Sequence, residues 1–402
     1  RRNGKNRSIT THNHKGKKMS KSQRVIRIGI IGGGLMGKEF ASASARWMHL
    51  TGMDVRPEIL AVASVPVETC NWFTENIPSC RIATDDYRTL LAHPDIDAIY
   101  CAVPHNLHER IYCDVIRSGK HLFGEKPFGI NEAANQAILA EAARSPQLVV
   151  RCNSQFPYYP GAQRIIEAIR TGAFGTIIEV EAGFLHSSDL DPRKPLNWKR
   201  QVEINGEYGC LGDLGMHAMH IPLRAGWLPK NVRALLTNVR PFRPDVDGEM
   251  RPCRTFDNGT LFCEVDNETG RFPMTIKTYR IAPGEMDTWY LRVSGDRFSA
   301  RFSTKTPRTL ETLRYDTPGE PQVWRVEDIG YSSAYPAITG GIFEFGFTDA
   351  ILQVFAAFID QIDKGADAVL PFGCATLEET RLHHRILTAA LESNRTGTPL
   401  AL

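Results

Sequence analysis

The sequence predicts an α/β protein in which a helix-covered parallel sheet is followed by an α+β region with a large, mostly antiparallel open sheet. Between Arg24 and Asn153, short apolar runs alternate with helical patterns, an order typical of parallel sheets. Beyond residue 153, successive strands alternate polar and apolar residues, which predicts an antiparallel sheet with one face in water. The chain has 402 residues, of which 42% are hydrophobic and 23% charged, and this length favours two domains.

The elements of the first region are short apolar runs separated by stretches with helical periodicity. The predicted strands are 25–31, 59–63, 98–103, 121–124 and 148–152. The predicted helices are 39–50, 106–120 and 131–145. Because a helix separates successive strands, we expect the strands to run parallel and the helices to cover both faces of the sheet.

The second region begins with a predicted helix, 160–172, and ends with two more, 349–365 and 376–397. The predicted strands between them are 177–187, 232–241, 259–267, 272–281, 288–296, 297–305 and 322–328. Asn-Gly and Gly-Asp pairs mark several of the turns. We therefore expect a first domain over 19–153 and a second over 154–402, with the last helices packing back towards the first domain.

Charge is distributed unevenly along the chain. The 48 Lys and Arg residues against 45 Asp and Glu residues give a net charge of +3, but residues 1–18 hold seven basic residues and no acid. From Met19 onward, 41 basic residues face 45 acidic ones. This mildly acidic body gives no support for nucleic-acid binding. We interpret 1–18 as a disordered basic tail upstream of a natural start at Met19; a phosphate-binding arm is the alternative.

The spacing of the cysteines and the hydropathy pattern argue against several further classes of protein. The nine cysteines lie in apolar stretches without a Cys-x-x-Cys pair, whereas a zinc ribbon or a disulfide framework needs paired spacing. Buried free thiols are typical of a cytoplasmic protein, which is the expected location. The sequence has no run of eighteen apolar residues, so we expect no helix that spans a membrane.

A glycine motif, GGGLMG (32–37), directly follows the first predicted strand and opens a helix. In such a G-x-G-x-x-G loop the first glycine allows a tight turn, the second lets a pyrophosphate approach the backbone, and the third permits helix–strand packing. The helix N-terminus adds free N–H donors. The motif therefore predicts a Rossmann dinucleotide-binding domain. The residues expected to contact the cofactor here are Gly32, Gly34, Leu35, Met36 and Gly37.

The second predicted strand leaves the choice between NAD and NADP open. Dinucleotide sites often place an acidic residue at the end of this strand, where it binds the ribose hydroxyls. Here Asp54 and Glu58 precede the strand, and Ser64 stands at its carboxyl end. A neutral hydroxyl tolerates a 2′-phosphate, but residues 65–69 contain no Arg or Lys to hold one. We therefore predict NAD or NADP as the cofactor, with Ser64 as a contact.

Several further segments fall into one known pattern. They are DYRTLLAHPDIDAIYCAVPHNLH (86–108), GKHLFGEKP (119–127), QFPYYP (155–160) and GEYGCLGDLGMHAMH (206–220). Together with the glycine loop, they resemble the Gfo/Idh/MocA oxidoreductases, the family of glucose–fructose oxidoreductase and inositol 2-dehydrogenase. The resemblance covers essentially all of 24–398. The Glu-Lys-Pro triplet combined with a downstream Asp-x-Gly-x-His is its most specific part.

The resemblance implies roles for individual residues. Lys126 of the Glu-Lys-Pro triplet would stand at the nicotinamide and the reacting carbon, and Asp213 and His217 would flank the same substrate hydroxyl. The residues that would border the cofactor are Pro104, His105, His108, Glu125 and Lys126 itself. The family often has Arg at the position of Gln155 and Asp at that of His220, so these departures affect the substrate more than the chemistry.

The residues themselves support the same chemistry. Lys126 follows a predicted parallel strand, at the end where such sheets bind ligands, and a partly desolvated lysine can exchange a proton near neutral pH. Asp213 and His217 are four residues apart and would share one helix face, so the carboxylate would orient or charge the imidazole. The alternative interpretations are a surface lysine for Lys126, a core-facing histidine on a capped helix for His217, and a metal site formed by Asp213, His217 and His220. We predict that no metal binds here.

Other polar side chains are weaker candidates for the substrate pocket, because rings and donors suit polyols. They are Tyr158 or Tyr159, His186, Trp198, Lys199 and His220. Packing or surface exposure is the alternative interpretation for each of them.

The sequence thus predicts an NAD(P)-dependent oxidoreductase that transfers a hydride between the nicotinamide and a secondary alcohol or ketone of a sugar, cyclitol or related polyol. Three alternatives stay open: redox-neutral glycoside cleavage, a non-catalytic dinucleotide-binding sugar sensor, and reduction of a non-sugar carbonyl or a dihydrodiol. Strands within 177–328 carry apolar residues on both faces, and relatives commonly pair through this sheet. We therefore expect a homodimer or homotetramer that does not engage nucleic acid or membrane.

Overall fold

The computed structural model describes residues 23–402. The basic segment 1–18 and residues 19–22, the start of the expected first domain, lie outside the described residues. Within 23–402, the strands form a six-stranded sheet, a nine-stranded sheet and a separate two-stranded ribbon.

The six-stranded sheet is parallel throughout and has the order β3-β2-β1-β4-β5-β6. Its strands are β1 (Arg24–Ile31), β2 (Val55–Ala63), β3 (Ile82–Thr84), β4 (Ala98–Cys101), β5 (His121–Gly124) and β6 (Val150–Cys152). This confirms the predicted α/β class and parallel sheet. The sequence did not indicate β3, because three residues with two of them polar or small give no apolar run.

Helices cover both faces of this sheet. Those that follow its strands are α1 (Leu35–Ala45), α2 (Asn71–Asn76), α3 (Arg88–Ala92), α4 (His108–Arg117) and α5 (Glu132–Ala142). One apolar core joins α3, α4 and α5 to the sheet, and a second core on the opposite face contains α1 and α2. The strand–helix alternation therefore buries both faces, and every residue of the central strand β4 is buried.

The nine-stranded sheet is antiparallel except for the parallel pair β7–β12, and its order is β16-β15-β14-β13-β7-β12-β11-β8-β17. Its strands are β7 (Ile177–Leu185), β8 (Pro229–Thr237), β11 (Asn258–Asn267), β12 (Gly270–Tyr279), β13 (Thr288–Gly295), β14 (Phe298–Ser303), β15 (Thr309–Arg314), β16 (Arg325–Asp328) and β17 (Leu400–Ala401). Strands β9 (Phe242–Pro244) and β10 (Met250–Pro252) form the ribbon. The predicted large, mostly antiparallel sheet is confirmed, although β9, β10, β15 and β17 were not predicted.

Helices cover the inner face of this mixed sheet. The remaining helices are α6 (Pro160–Arg170), α7 (Val202–Asn205), α8 (Cys210–Arg224), α9 (Phe347–Lys364) and α10 (Leu377–Thr396). Of these, α6, α8 and α10 pack on the sheet. Side chains on its other face, such as Leu235 and Phe262, are more than half exposed.

Helix α9 returns to the parallel sheet and packs against α1. Its Phe355 ring lies 3.9 Å from that of Phe40 on α1, and Phe358 stacks on Phe123 of β5 at 4.8 Å. The Phe40 ring also stacks on Tyr100 at 4.0 Å. Helix α9 therefore completes the apolar core that α1 forms with the parallel sheet. None of the helices within 23–402 is long and apolar enough to cross a bilayer.

We expect Phe40→Ala to lower the free energy of unfolding by about 3–5 kcal/mol, because it removes a ring that joins α1, β4 and α9 and leaves a cavity. Guanidinium unfolding curves would measure the change. Met48→Ala serves as the control, since Met48 is 84% exposed and its loss should cost less than about 0.5 kcal/mol. Equal unfolding midpoints for the two variants would contradict this account of α9.

Candidate active site

A cavity of about 1310 Å³ lies at the carboxyl ends of the parallel strands. The loops after β1, β2, β4 and β5 line one side of it, and residues of the α8 and β12 region line the other. This is the edge at which open parallel sheets bind ligands. The site is therefore formed jointly by the parallel sheet and the mixed sheet.

Each glycine of the loop after β1 meets a different constraint. Gly32 has φ +106°, and an added Cβ would lie 2.3 Å from the carbonyl oxygen of Ala102. At Gly37 an added Cβ would lie 2.2 Å from the carbonyl oxygen of Gly32, so this glycine permits the helix to pack on the loop. At Gly34 an added Cβ would meet no described atom within 4 Å. Because Gly34 lines the cavity, its missing side chain leaves space for a ligand.

The loop and helix α1 also supply free donors. Helix α1 begins at Leu35 without a side-chain cap and without an acidic residue in its first turn. Leu35 and Met36 line the cavity with the glycines. Open backbone N–H groups and the positive end of a helix suit the pyrophosphate of a nicotinamide dinucleotide. The residues present therefore fit this cofactor.

Ser64 closes the same loop from the neighbouring strand. Its Oγ accepts a hydrogen bond from the backbone N–H of Gly33 at 3.1 Å, and the residue lines the cavity. Ser64 thus holds the loop and also lines the cavity. With no cation in 65–69, this end of the cavity admits either NAD or NADP.

The two histidines after β4 have different positions. His105, together with Pro104, lines the cavity, and its Nδ1 lies 3.0 Å from the carbonyl oxygen of Asn205. His108 is fully buried below the loop, where its Nδ1 accepts from the N–H of Gly129. Its Nε2 bonds the carbonyl oxygen of Val103. His108 therefore supports the loop instead of bordering the cofactor, which corrects the prediction.

The Glu125-Lys126-Pro127 segment after β5 is anchored from several directions. The carboxylate of Glu125 accepts hydrogen bonds from Tyr100 and Asn153, each at 2.7 Å. His384 of α10 bonds the carbonyl oxygen of Pro127 at 2.8 Å. Because both neighbours of Lys126 are fixed, its side chain projects into the cavity from a rigid base.

Three cationic side chains converge on the buried carboxylate of Asp213. The Nζ of Lys126 lies 2.5 Å from Asp213 Oδ1, and the Nζ of Lys199 lies 3.2 Å from Oδ2. The guanidinium of Arg280, which follows β12, pairs with the same carboxylate. Burial is the main cause that lowers the pKa of Lys126 to about 8. The sequence had placed Lys126 and Asp213 in one site but had not indicated Arg280.

His217 does not pair with Asp213, although both lie on α8. Its Nδ1 lies 3.4 Å from the Oγ of Ser154, and its ring is held edge-on between Phe156 and Phe184 at 5.1 and 5.4 Å. The predicted orientation of the imidazole by Asp213 is therefore wrong in this geometry. Burial, followed by the charge of Lys126, lowers the pKa of His217 well below its ordinary value, so the imidazole is neutral at pH 7.

Two other predicted residues lie away from the cavity. His220 points from α8 towards Arg224 and Glu379, with Nε2 distances of 3.1 and 3.7 Å. Tyr158 is fully buried and donates to the carbonyl oxygen of Phe372 at 3.1 Å. Both are packing residues. The metal site of Asp213, His217 and His220, which the sequence left as an alternative, is not assembled, because His220 is turned towards Arg224 and Glu379.

The remaining predicted pocket residues, His186, Trp198 and Lys199, line the cavity. So does Gln155, which is 3% exposed and whose Oε1 has no hydrogen-bond partner among the described residues. A buried amide without a partner costs stability unless a ligand satisfies it. The sequence noted Gln155 only as a departure from a family pattern. A signal for Arg280, a lone cation after a strand that alternates polar and apolar residues, was present but unspecific.

Comparison with known proteins agrees with this geometry. Residues 26–153 match the model of the oxidoreductase family with an NAD-binding Rossmann fold, GFO_IDH_MocA. Levoglucosan dehydrogenase of Pseudarthrobacter phenanthrenivorans is 28% identical over 226 residues, which are 54% of this chain and 56% of that protein. Inositol 2-dehydrogenase of Pseudomonas syringae pv. syringae is 22% identical over 328 residues, 78% of this chain and 92% of that protein. The chain spans about half the length of the first curated relatives that it matches, levoglucosan dehydrogenase among them.

Solved structures share the whole fold. Levoglucosan dehydrogenase in complex with NADH superposes with a TM-score of 0.82 at 22% identity, covering 94% of this chain and 99% of that chain. An inositol dehydrogenase homolog complexed with NAD⁺ from Azotobacter vinelandii has a TM-score of 0.76 at 19% identity, with coverages of 96% and 100%. The predicted Rossmann fold is thus confirmed, and the family model that matches it describes an NAD-binding domain. The resemblance to the Gfo/Idh/MocA oxidoreductases that the sequence motifs indicated is therefore confirmed over residues 26–153.

Proposed function

We propose that this protein is an NAD(P)-dependent oxidoreductase that transfers a hydride between the nicotinamide and a secondary alcohol or ketone of a sugar, cyclitol or related polyol. One observation carries the proposal: Lys126, Asp213 and His217 line the same cavity as the glycine loop. A cofactor on the loop and an acid–base group in the same cavity are the two requirements of this reaction. The names of the similar proteins, dehydrogenases of levoglucosan and inositol, support the substrate class.

Lys126 is the group that we propose to exchange the proton. When bound, the nicotinamide supplies the hydride acceptor or donor. In the oxidation direction, the free amine of Lys126 takes the proton of the substrate hydroxyl, and the resulting ammonium is stabilised by Asp213 at 2.5 Å. The neutral imidazole of His217 forms a hydrogen bond to the same hydroxyl and orients it. In the reduction direction, the ammonium of Lys126 returns the proton.

The remaining parts of the proposal concern domains and location. We propose that 19–153 holds the cofactor and that 154–402 supplies the substrate side and self-association. A cytoplasmic location is proposed because all nine cysteines, which lie within the described residues, are buried free thiols. A screen of sugars and cyclitols with NAD and NADP, followed by absorbance of the reduced cofactor, tests the reaction. Release of an aglycone without net cofactor turnover would favour glycoside cleavage instead.

We expect Gly34→Val to weaken cofactor binding by well over about tenfold, which corresponds to more than about 1.4 kcal/mol. The added side chain would occupy cavity space without a clash inside the loop. Titration of NADH followed by its fluorescence measures the effect. Gly373→Val is the matched control, because its Cβ also meets no described atom within 4 Å and the residue does not line the cavity. Equal affinities for the two variants would refute the assignment of the loop.

We expect alcohol oxidation to rise with pH and to level off above about 8, because the proton acceptor is the free amine of Lys126. Reduction should show the opposite dependence, since it needs the ammonium. Lys126→Met should abolish this pH dependence and lower turnover by about 10²–10⁴-fold, while NADH still binds. His217→Ala should act similarly, and Asp213→Asn somewhat less. Lys305→Met, a surface change, is the control. Near-normal turnover in Lys126→Met would show that this residue is a bystander.

We expect the outer face of the mixed sheet to mediate assembly into a homodimer or homotetramer. Leu235 and Phe262 lie on this face and are 57% and 53% exposed, and such apolar surface favours association. Sedimentation at micromolar concentration should give an oligomer, and Phe262→Glu should shift it towards monomer. Met48→Glu, an exposed change outside the sheet, should leave the species unchanged. A wild-type protein that sediments as a monomer would contradict the prediction.

A further inference from the structure

We propose that the substrate carries a carboxylate and that Lys199 and Arg280 bind it. The inference rests on the proposed function and deepens it, because it names a class of substrate, a sugar acid or other hydroxy acid, in place of a neutral polyol. The two cations stand on the substrate side of the cavity, opposite the glycine loop.

The first argument is the imbalance of charge around Asp213. This carboxylate is 1% exposed, and three cations share it: Lys126 at 2.5 Å, Lys199 at 3.2 Å, and Arg280. One carboxylate therefore serves three basic side chains in a largely buried site. Buried charges without full compensation are costly, and a bound anion supplies the missing compensation.

The second argument is that three other acids of the cavity, Glu125, Asp189 and Asp287, face other partners. Asp189 is shared by Lys194, at 2.7 Å, and by the buried Arg200, which also pairs with Asp257. Glu125 is turned to Tyr100 and Asn153. Asp287 is half exposed and lies 3.6 Å from His186. These carboxylates are turned to partners other than the cations around Asp213, which leaves room for a ligand carboxylate.

The third argument is the shape and access of the donors. A guanidinium offers a planar fork that matches a carboxylate, and an ammonium offers three donors. The side chain of Lys199 is 33% exposed, lines the cavity and lies over the Trp198 ring at 5.5 Å. Burial, followed by the charges of Arg280 and Lys126, lowers the pKa of Lys199 well below its ordinary value. An anion beside it would restore the charged form. Lys126 is left to the reacting hydroxyl.

Matched ligands test the proposal on the protein saturated with NADH, so that binding is measured without oxidation. D-glucuronate and D-glucose differ only in the carboxylate, and isothermal titration gives both affinities. We expect glucuronate, or another hexuronate or aldonate of the panel, to bind at least about tenfold more tightly than its neutral counterpart. Glucose 6-phosphate separates a carboxylate from a phosphate. Tighter binding of the phosphate ester would overturn the proposal.

Variants assign the preference to the named cations. Lys199→Met should reduce the ratio of the affinity for the acid to that for the neutral sugar by at least about tenfold. Lys230→Met is the control, because Lys230 lies on the surface, where it pairs with Asp266, and this change should leave the ratio as it is. Arg280→Lys, which keeps the charge but loses the fork, should lower the ratio to an intermediate value. An acid preference that survives Lys199→Met, or no acid that binds at millimolar concentration, would overturn the inference.

The outcomes separate this inference from the proposed function. Turnover of neutral polyols with no preference for acids would refute the carboxylate and leave the oxidoreductase intact. Binding of the acid through Lys199 without turnover by either cofactor would support the anion site and refute the proposed reaction. The two ideas can therefore fail independently.

Discussion

The buried carboxylate of Asp213 is the interaction on which the site depends. It receives Lys126 from the end of the parallel sheet, Lys199 from the turn before α7, and Arg280 from the end of β12. Basic side chains in one cleft repel each other when charged, and the carboxylate of Asp213 holds these three within hydrogen-bond distance of a common point. The same carboxylate links Lys126, which follows the parallel sheet, to Arg280, which follows a strand of the mixed sheet, and so connects the two sides of the site.

Helices α9 and α10, near the end of the chain, support the segment that carries Lys126. His384 of α10 bonds the carbonyl oxygen of Pro127 and so fixes the residue that follows Lys126. Helix α9 places Phe358 on Phe123, one residue before the end of β5. The catalytic lysine proposed here is thus held by apolar packing on one side and by a buried hydrogen bond on the other. Side chains fixed in this way lose little further freedom when a ligand binds.

Local sequence signals predicted the local features, and the errors concern contacts between distant elements. The strand–glycine–helix order identified the loop, and the motif after β5 identified Lys126, because both depend on neighbours in the chain. Helical spacing put Asp213, His217 and His220 on one face of α8, but residues 210–223 of this helix are buried on all sides. Because no face of α8 is in contact with solvent, residues at helical spacing on it need not share the same surroundings. Arg280 approaches Asp213 only because β12 lies beside α8 in the folded sheet.

The distribution of charge along the cavity also determines which group can titrate. Backbone donors of the glycine loop and the N-terminus of α1 make one end positive, and the cations around Asp213 make the other end positive. The histidines that line the cavity, His105, His186 and His217, are buried among these charges, and burial together with nearby cations lowers each of their pKa values. They are therefore neutral hydrogen-bonding groups at pH 7. Lys126, with its pKa lowered to about 8, can change its protonation near neutrality at the proposed reacting atom.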